Sequence, residues 1–560
     1  MSSLLVGLSA ALLFIGIGSV QALMQPIGSG YDEPAHLVKA VGTAHGQWYG
    51  TGTAEYRGDV YPVFSVPFLI ACTNLAKTPE ACRTQSQTSM VDVVSTVGYY
   101  NPTYYAIAGI PSLFLAGEAL PYAMRLWSVV IVSVLAGGAF AFLASLRRGP
   151  TLIAMTLLVF TPLFFFTLGE VNPTAMEVVC AFGLMAVLLA ITDGPNSGGP
   201  GRWFALLIYG GLLANVRSLG VGWALLTVLI VFIGARHGAL GSAFSRRTPR
   251  VASAAALLVC TLALLQLGSS GVLRHFIPVT DGLALTPMKA FETMLRRTVF
   301  YFNGMVGREG LASAVLSHRA SLALFVPLAA AWIVGLWRAN TLRRRVALVA
   351  SAAALLLAPP ILQAPGAHDQ GLIWQPRYSL AMFAALFVYM LFCALSPRSH
   401  ARHEAVVQWV LTVGALGTFG ALQIRSVVNF SRIWASLPWE GVLASKGIPT
   451  VQPIDPGTAY PLRSILVVTL VGLMAVGTSL VLAERETHIS LRIGGAPACP
   501  PIARPEDESV AEIVAQGAET HGNDLRDGID RRSPRRGEEA VSEVNESPDQ
   551  TRLDEEPRDQ

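Results

Sequence analysis

The sequence predicts an all-α polytopic membrane protein with about twelve transmembrane helices, each long enough for a hydrocarbon layer about 30 Å thick. Three observations predict it. The chain of 560 residues is 52% hydrophobic and only 14% charged, where a soluble domain carries roughly 25% charged residues. Mean hydropathy is +0.50, and it comes from repeated apolar runs rather than a uniform background. Basic residues gather in alternate loops.

The first run, Leu4 to Leu23, has no Lys or Arg before it and suits a retained helix better than a signal peptide. Further spans are expected at 122–144, 151–168, 173–192, 202–217, 219–235, 251–268, 319–337, 346–362, 376–396, 404–425 and 463–483. Residues 1–483 form the expected transmembrane domain, and 484–560, rich in Asp, Glu, Arg, Pro and Ser, a disordered cytosolic tail. No internal repeat of fixed period is visible.

Orientation follows from the short loops. Five loops hold Arg147, Arg148, Arg202, Arg236, Arg246, Arg247, Arg250, Arg338, Arg343, Arg344, Arg345, Arg398 and Arg402. The alternate short loops 169–172 and 363–375 hold none, and the turn near Arg217 holds one. Both termini are therefore expected in the cytosol of a bacterial inner membrane. The loops 22–121, 269–318 and 426–461, the last with Trp434 and Trp439, are expected outside. Only four of the 40 basic residues are Lys (Lys39, Lys77, Lys289, Lys446), which is read as the codon bias of a high-GC bacterium.

Tyr99–Gly117 is apolar enough to cross, but crossing would invert every later loop. It is expected to lie on the outer face, with its tyrosines at headgroup level. In 269–318, Met288, Phe291, Met294, Leu295, Val299 and Phe302 recur at helical spacing with Lys289, Glu292, Arg296 and Arg297 between them. That predicts an amphipathic surface helix. Cys72 and Cys82 share the first outer loop, where a disulfide can persist, and spacing leaves their pairing open. No second Cys or His pair accompanies them, so no metal centre is expected.

The chemistry is sought where polar groups meet the outer face. Asp32 and Glu33 follow the first span directly, and Pro34 starts a short helix on which His36 lies one turn later. Asp is a preferred N-cap and Pro suits a first turn, so spacing alone favours a cap. A catalytic carboxylate and a metal ligand stay open beside it. For an anionic substrate the outward cations are Arg125, Arg217 and Arg377, each equally readable as a snorkelling interfacial Arg. Glu177, one turn into its span, is costly against lipid and is expected to face protein or a wet cavity.

Read together, Asp32-Glu33, Asn101-Pro102-Thr103-Tyr104-Tyr105 and Arg125-Leu126 resemble the GT-C membrane glycosyltransferases in order and membrane side. Asp32-Glu33-Pro34-Ala35-His36, Asn172-Pro173, Gly304-Met305-Val306-Gly307 and Gln375-Pro376-Arg377-Tyr378 resemble more closely one bacterial family within that group, known as a domain of unknown function. Pro376 stands where that family's pattern has Gly. The resemblance spans about residues 1–430.

It implies a GT-C-like fold and transfer of a sugar from a polyprenyl-phosphate donor to a cell-envelope glycan or lipid on the extracytoplasmic face. Asp32, with Glu33 next, would act as base and His36 would orient it. Arg125, Arg217, Arg377, Tyr104, Tyr105, Asn172 and Glu177 would line the site for lipid phosphate and sugar. No metal or other cofactor is implied. A polytopic transporter or lipid flippase, and a non-catalytic scaffold for envelope polymer assembly, are the alternatives. No phosphate-binding Gly-rich loop and no basic stripe interleaved with aromatics is present, which argues against a nucleotide enzyme and against nucleic acid as a partner.

Overall fold

In the computed structural model the described residues are 2–493, apart from 29, 31, 51, 57–58, 68–69, 71–88, 147, 194–198, 236–246, 270–284, 308–315, 396–401 and 437–457. Cys72, Cys82 and most of the expected tail lie outside them.

Helices dominate. In chain order they are α1 Ser2–Met24, α2 Glu33–Ala44, α3 Pro102–Ala108, α4 Ala119–Ala144, α5 Pro150–Leu157, α6 Pro162–Leu168, α7 Pro173–Asp193, α8 Pro200–Val216 and α9 Gly220–Gly234. The remainder are α10 Arg247–Ser269, α11 Pro287–Arg296, α12 Thr298–Met305, α13 His318–Arg338, α14 Leu342–Gln363, α15 Ala367–Gln370, α16 Pro376–Ala394, α17 Arg402–Ser436 and α18 Tyr460–Ile493. Among the described residues nine helices are long and apolar enough to cross a membrane.

The three other expected spans are helical but depart from simple crossings. Residues 151–168 form the pair α5 and α6, bent by 70°. Pro162 opens α6, and a proline both lacks an N–H and pushes its predecessor out of the helical region. Helices α8 and α9 have 17 and 15 residues, about 25 and 22 Å at 1.5 Å per residue. They are separated by Arg217 in an extended conformation. Two boundaries also move. Helix α17 runs to Ser436, into the expected third outer loop, and α18 runs to Ile493, ten residues into the expected tail.

The core is built on α7 and α16, both almost wholly enclosed by other helices. Helix α4 lies along α1, and Gly7 and Gly137 set that closeness. A Cβ on either would stand 2.6 Å from the carbonyl oxygen of the other. Phe14 meets Phe160 at 4.9 Å and Phe165 at 5.1 Å between ring centroids, and Phe140 meets Phe182 at 4.9 Å. These contacts join α1, α4, α6 and α7 in one aromatic layer of edge and tilted pairs.

One part of the expected first outer loop is not helical. Strands β1 Gly52–Tyr56, β2 Asp59–Pro67 and β3 Met90–Val94 form an antiparallel sheet in that order, with Gly52 opposite Val63 and Val63 opposite Val94. Pro62, Phe64 and Val66 are buried while Val63 and Ser65 between them are not, the two-residue period of a half-buried strand. Phe64 presses on Gly42 of α2, where a Cβ would meet its ring at 2.5 Å.

Tyr99–Gly117 holds no helix long enough to cross a membrane; it is made of α3 and a 3-10 turn at Ile110–Leu113. Tyr99 and Tyr100 are partly exposed, but the other two tyrosines are not at a surface. Tyr104 and Tyr105 are buried, and the exposed apolar side chains are Leu113, Phe114 and Leu115.

Helix ends sort the charges. At one end Arg148 donates to Leu395 O, Arg338 to Ala394 O, Arg202 to Ala190 O and Arg343 to Phe232 O and Ile233 O. Arg344 pairs with Asp193 at 2.7 Å. Cations there meet the terminal carbonyls of α7, α9 and α16, where the helix dipole is negative. The carboxylates of interest lie at the opposite ends of these helices.

Candidate functional site

The chain leaves α1 at Met24 and reaches α2 through a turn in which Asp32 adopts φ 62°, ψ 1°. Among the described residues it is the one non-glycine with positive φ. That left-handed conformation costs an L-residue roughly 1–2 kcal/mol, and Asp is one of the few that visit it. Asp32 occupies the N-cap position of α2, yet its side chain bonds no helix amide. The cap expected from spacing is absent. Its Oδ2 instead accepts from Arg377 Nη2 at 2.8 Å, across 345 positions of sequence.

Arg377 is 2% exposed and the Asp32 side chain 47%. The cation is sunk into the protein and the carboxylate stays open on one side. Burial pushes the Asp32 carboxyl upward, but Arg377, with His36 and Arg217 behind it, outweighs this and leaves it below its usual range.

Glu33 has a different fate. Its Oε1 accepts from Arg125 Nε at 2.7 Å and Val171 N at 3.2 Å. Its Oε2 accepts from Arg125 Nη2 at 2.6 Å and Gly28 N at 2.8 Å. Arg125 gives its remaining donors to Ala22 O, Gln25 O and Pro26 O. A carboxylate offers about four lone-pair sites and a guanidinium five N–H groups, so both are saturated, and both are fully buried. The geometry leaves Glu33 no site for a substrate proton and Arg125 no donor for a phosphate, contrary to the roles expected for them.

Arg217, in the break between α8 and α9, donates to Thr174 Oγ1 at 3.0 Å and lies 3.7 Å from Glu177 Oε2. Its guanidinium stands 4.5 Å from the Tyr378 ring centroid, and that of Arg377 5.4 Å from the same ring. Two cations thus flank one tyrosine, as Arg favours on aromatic faces. Glu177 faces protein, as its cost against lipid required. Asn172 caps α7 by accepting from Thr174 N at 3.0 Å.

His36 and Tyr105 meet behind Asp32, with Nδ1 and Oη 2.8 Å apart and the rings stacked. Burial pushes the His36 imidazole down to about 3, with Arg377, Arg217 and Lys39 adding to it and Asp32 opposing, so the ring is neutral at neutral pH. Burial raises the Tyr105 hydroxyl well above its ordinary value. Tyr104 is buried edge-on against Tyr105 at 5.3 Å. Lys39, one turn beyond His36, is buried and donates to Gly98 O at 2.6 Å and Trp48 O at 3.2 Å.

The structure therefore brings Asp32, Arg377, Arg217, Glu177, His36 and Tyr105 to one end of the bundle. It gathers Glu33 and Arg125 into a closed pair beneath them, and places Asn172 and Tyr104 in packing and capping positions. Sequence reasoning missed Thr174 and Tyr378. Tyr378 had a signal, since it completes the Gln-Pro-Arg-Tyr element; Thr174 had none.

A family model described as "Predicted membrane protein (DUF2142)" matches residues 13–388. No curated protein matches the chain. Among solved structures there is a likeness to the crystal structure of ArnT from Cupriavidus metallidurans bound to undecaprenyl phosphate. It has 14% identity over 86% of this chain and 77% of that one, with a TM-score of 0.38.

Proposed function

The chain belongs to the DUF2142 family of predicted membrane proteins, and we propose that it is a glycosyltransferase of the extracytoplasmic membrane face, moving a sugar from a polyprenyl phosphate to a hydroxyl of a cell-envelope glycan or lipid. The observation that carries this reading is Asp32: a half-exposed carboxylate in a strained conformation, held by a buried Arg with a second Arg beside it. Strained backbone of this kind persists where surrounding structure enforces it, and it concentrates at functional sites. The order of motifs resembling GT-C enzymes supports the same reading.

The chemistry follows from the charges. Asp32 takes the proton of the acceptor hydroxyl as its oxygen forms a bond to the anomeric carbon of the sugar. The bond from that carbon to the phosphate oxygen breaks, and polyprenyl phosphate leaves with the electron pair. Arg217 and Arg377 hold the departing phosphate, which a planar guanidinium meets with two parallel hydrogen bonds. When the phosphate draws Arg377 away, Asp32 loses its main neutralising partner. Its proton affinity rises and it becomes a better base.

The test is sugar transfer by purified protein from a panel of polyprenyl-phosphate sugars, wild type beside Asp32→Asn. General-base assistance is worth about 10²–10⁴-fold, and a folded Asp32→Asn protein is expected to lose that much. Unchanged transfer in that variant would remove Asp32 from the mechanism.

A further inference from the structure

Asn101, Asn215 and Gln266 form an amide cluster at the same end of the bundle, drawn from three elements. Asn101 precedes α3, Asn215 is on the last turn of α8, and Gln266 is near the end of α10. Asn101 Oδ1 accepts from Thr103 N at 3.0 Å, which fixes which way its amide points. Its Nδ2 then faces Asn215 Oδ1 at 3.0 Å and Gln266 Oε1 at 3.5 Å. Asn215 Nδ2 is committed to Gly211 O at 2.9 Å. The Nε2 of Gln266 is left over: it is buried and meets no acceptor among the described residues.

A glutamine in an apolar span is costly, and a buried amide N–H₂ without an acceptor more so. The cluster is linked to the proposed site through its chain neighbours. Asn215 is two residues from Arg217, and Tyr100, the neighbour of Asn101, feels the charges of Arg217, Asp32 and Arg377. A sugar linked to a phosphate on Arg217 is within one glycosidic bond of that phosphate.

We infer that the Asn101–Asn215–Gln266 cluster binds the transferred sugar through its neutral hydroxyls, with Gln266 Nε2 donating to one of them. Amides suit this task. Each offers two donors and an acceptor with two lone pairs, which match a hydroxyl without a net charge. The cluster holds no carboxylate to draw an amino sugar and no cation to draw a uronic acid, so the class read here is a neutral hexose or pentose. The inference rests on the glycosyltransferase reading.

Binding separates the two. Full-length protein in nanodiscs is titrated with undecaprenyl phosphate bare or carrying glucose, mannose, galactose or arabinose. At least one sugar-bearing lipid is expected to bind wild type about tenfold more tightly than bare lipid, the size of one or two neutral hydrogen bonds. Gln266→Leu, which suits a span, and Gln266→Glu, which keeps the shape but loses the N–H₂, are both expected to erase that difference. Affinity for bare lipid should stay unchanged. A difference that survives both variants, or wild type that ranks every sugar level with bare lipid, would overturn the inference and leave the lipid-phosphate reading standing. Wild type that binds no form of the lipid would bring down the transferase reading, and this inference with it.

Discussion

The guanidinium of Arg125 meets the carboxylate of Glu33 edge to edge, Nε to Oε1 at 2.7 Å and Nη2 to Oε2 at 2.6 Å, and neither side chain reaches solvent. The pair pins the N-terminus of α2 to α4, and through Val171 N to the approach to α7. Removing one member of such a buried pair costs about 3–5 kcal/mol, whereas replacing both with apolar groups of like size is often neutral. Glu33→Gln and Arg125→Met are each expected to lower Tm in detergent clearly, and the double variant Glu33→Leu/Arg125→Met to recover much of the loss. Single variants with wild-type Tm would show that the pair is not a structural anchor.

Asp32 is held below its ordinary range chiefly by Arg377. Arg377→Gln is therefore expected to raise the Asp32 carboxyl, moving the acid limb of the kcat/KM profile for sugar transfer to higher pH. Affinity for polyprenyl phosphate should fall about tenfold or more, since a charge-assisted hydrogen bond is worth about 1.5–3 kcal/mol. An acid limb that stays in place would place the titrating base elsewhere.

His36 gives a stability signature of its own. Its folded value, about 3, lies below the ordinary 6.5, so between these pH values the unfolded chain binds a proton that the folded one does not. The contribution is complete above about 6.5 and is lost progressively as pH falls toward 3. In wild type Tm should fall across that window, and His36→Gln should flatten the part between pH 6.5 and 4. Asp32, whose ordinary value is 3.8 and is lowered on folding, acts below that part. An unchanged slope in His36→Gln would mean that the imidazole is not held neutral.

Gly137 faces Gly7 closely enough that any side chain displaces α4 from α1. Overpacking of this kind costs typically about 1–3 kcal/mol, so Gly137→Leu is expected to lower Tm. Since Arg125 lies on the same helix, sugar transfer should decline too. Full Tm in Gly137→Leu would show that the two helices separate at no cost.

Much of the fold was legible because the signal was redundant: each span is a long apolar run, and Arg148, Arg202, Arg338, Arg343 and Arg344 sort to one end both in sequence and in space. The small sheet was not read, although Pro62, Phe64 and Val66 carry its two-residue period. That run is short, and in a chain dominated by apolar helices it stands out little. In the site, the sequence located the acidic pair but not the division of labour within it. Asp32 and Glu33 are adjacent and chemically alike. Their difference comes from one backbone angle and from Arg125 and Arg377, 92 and 345 positions distant. Nothing local encodes which Arg meets which carboxylate. Tyr104 and Tyr105 misled for a related reason, since a tyrosine packed in protein and one at a headgroup have the same sequence signature.

The two cations beside Tyr378 are restrained unequally. Arg217 stands 3.7 Å from its carboxylate, while Arg377 holds its own at 2.8 Å. An arriving phosphate therefore competes at the first with a longer ion pair and the Thr174 hydroxyl, and at the second with a close ion pair. In the proposed reaction this imposes a sequence in time: the donor lodges on Arg217, then takes Arg377, and only then is Asp32 released to act. On that reading Asp32 stays engaged by Arg377 until the lipid phosphate is seated, so the base is withheld until its donor is in place.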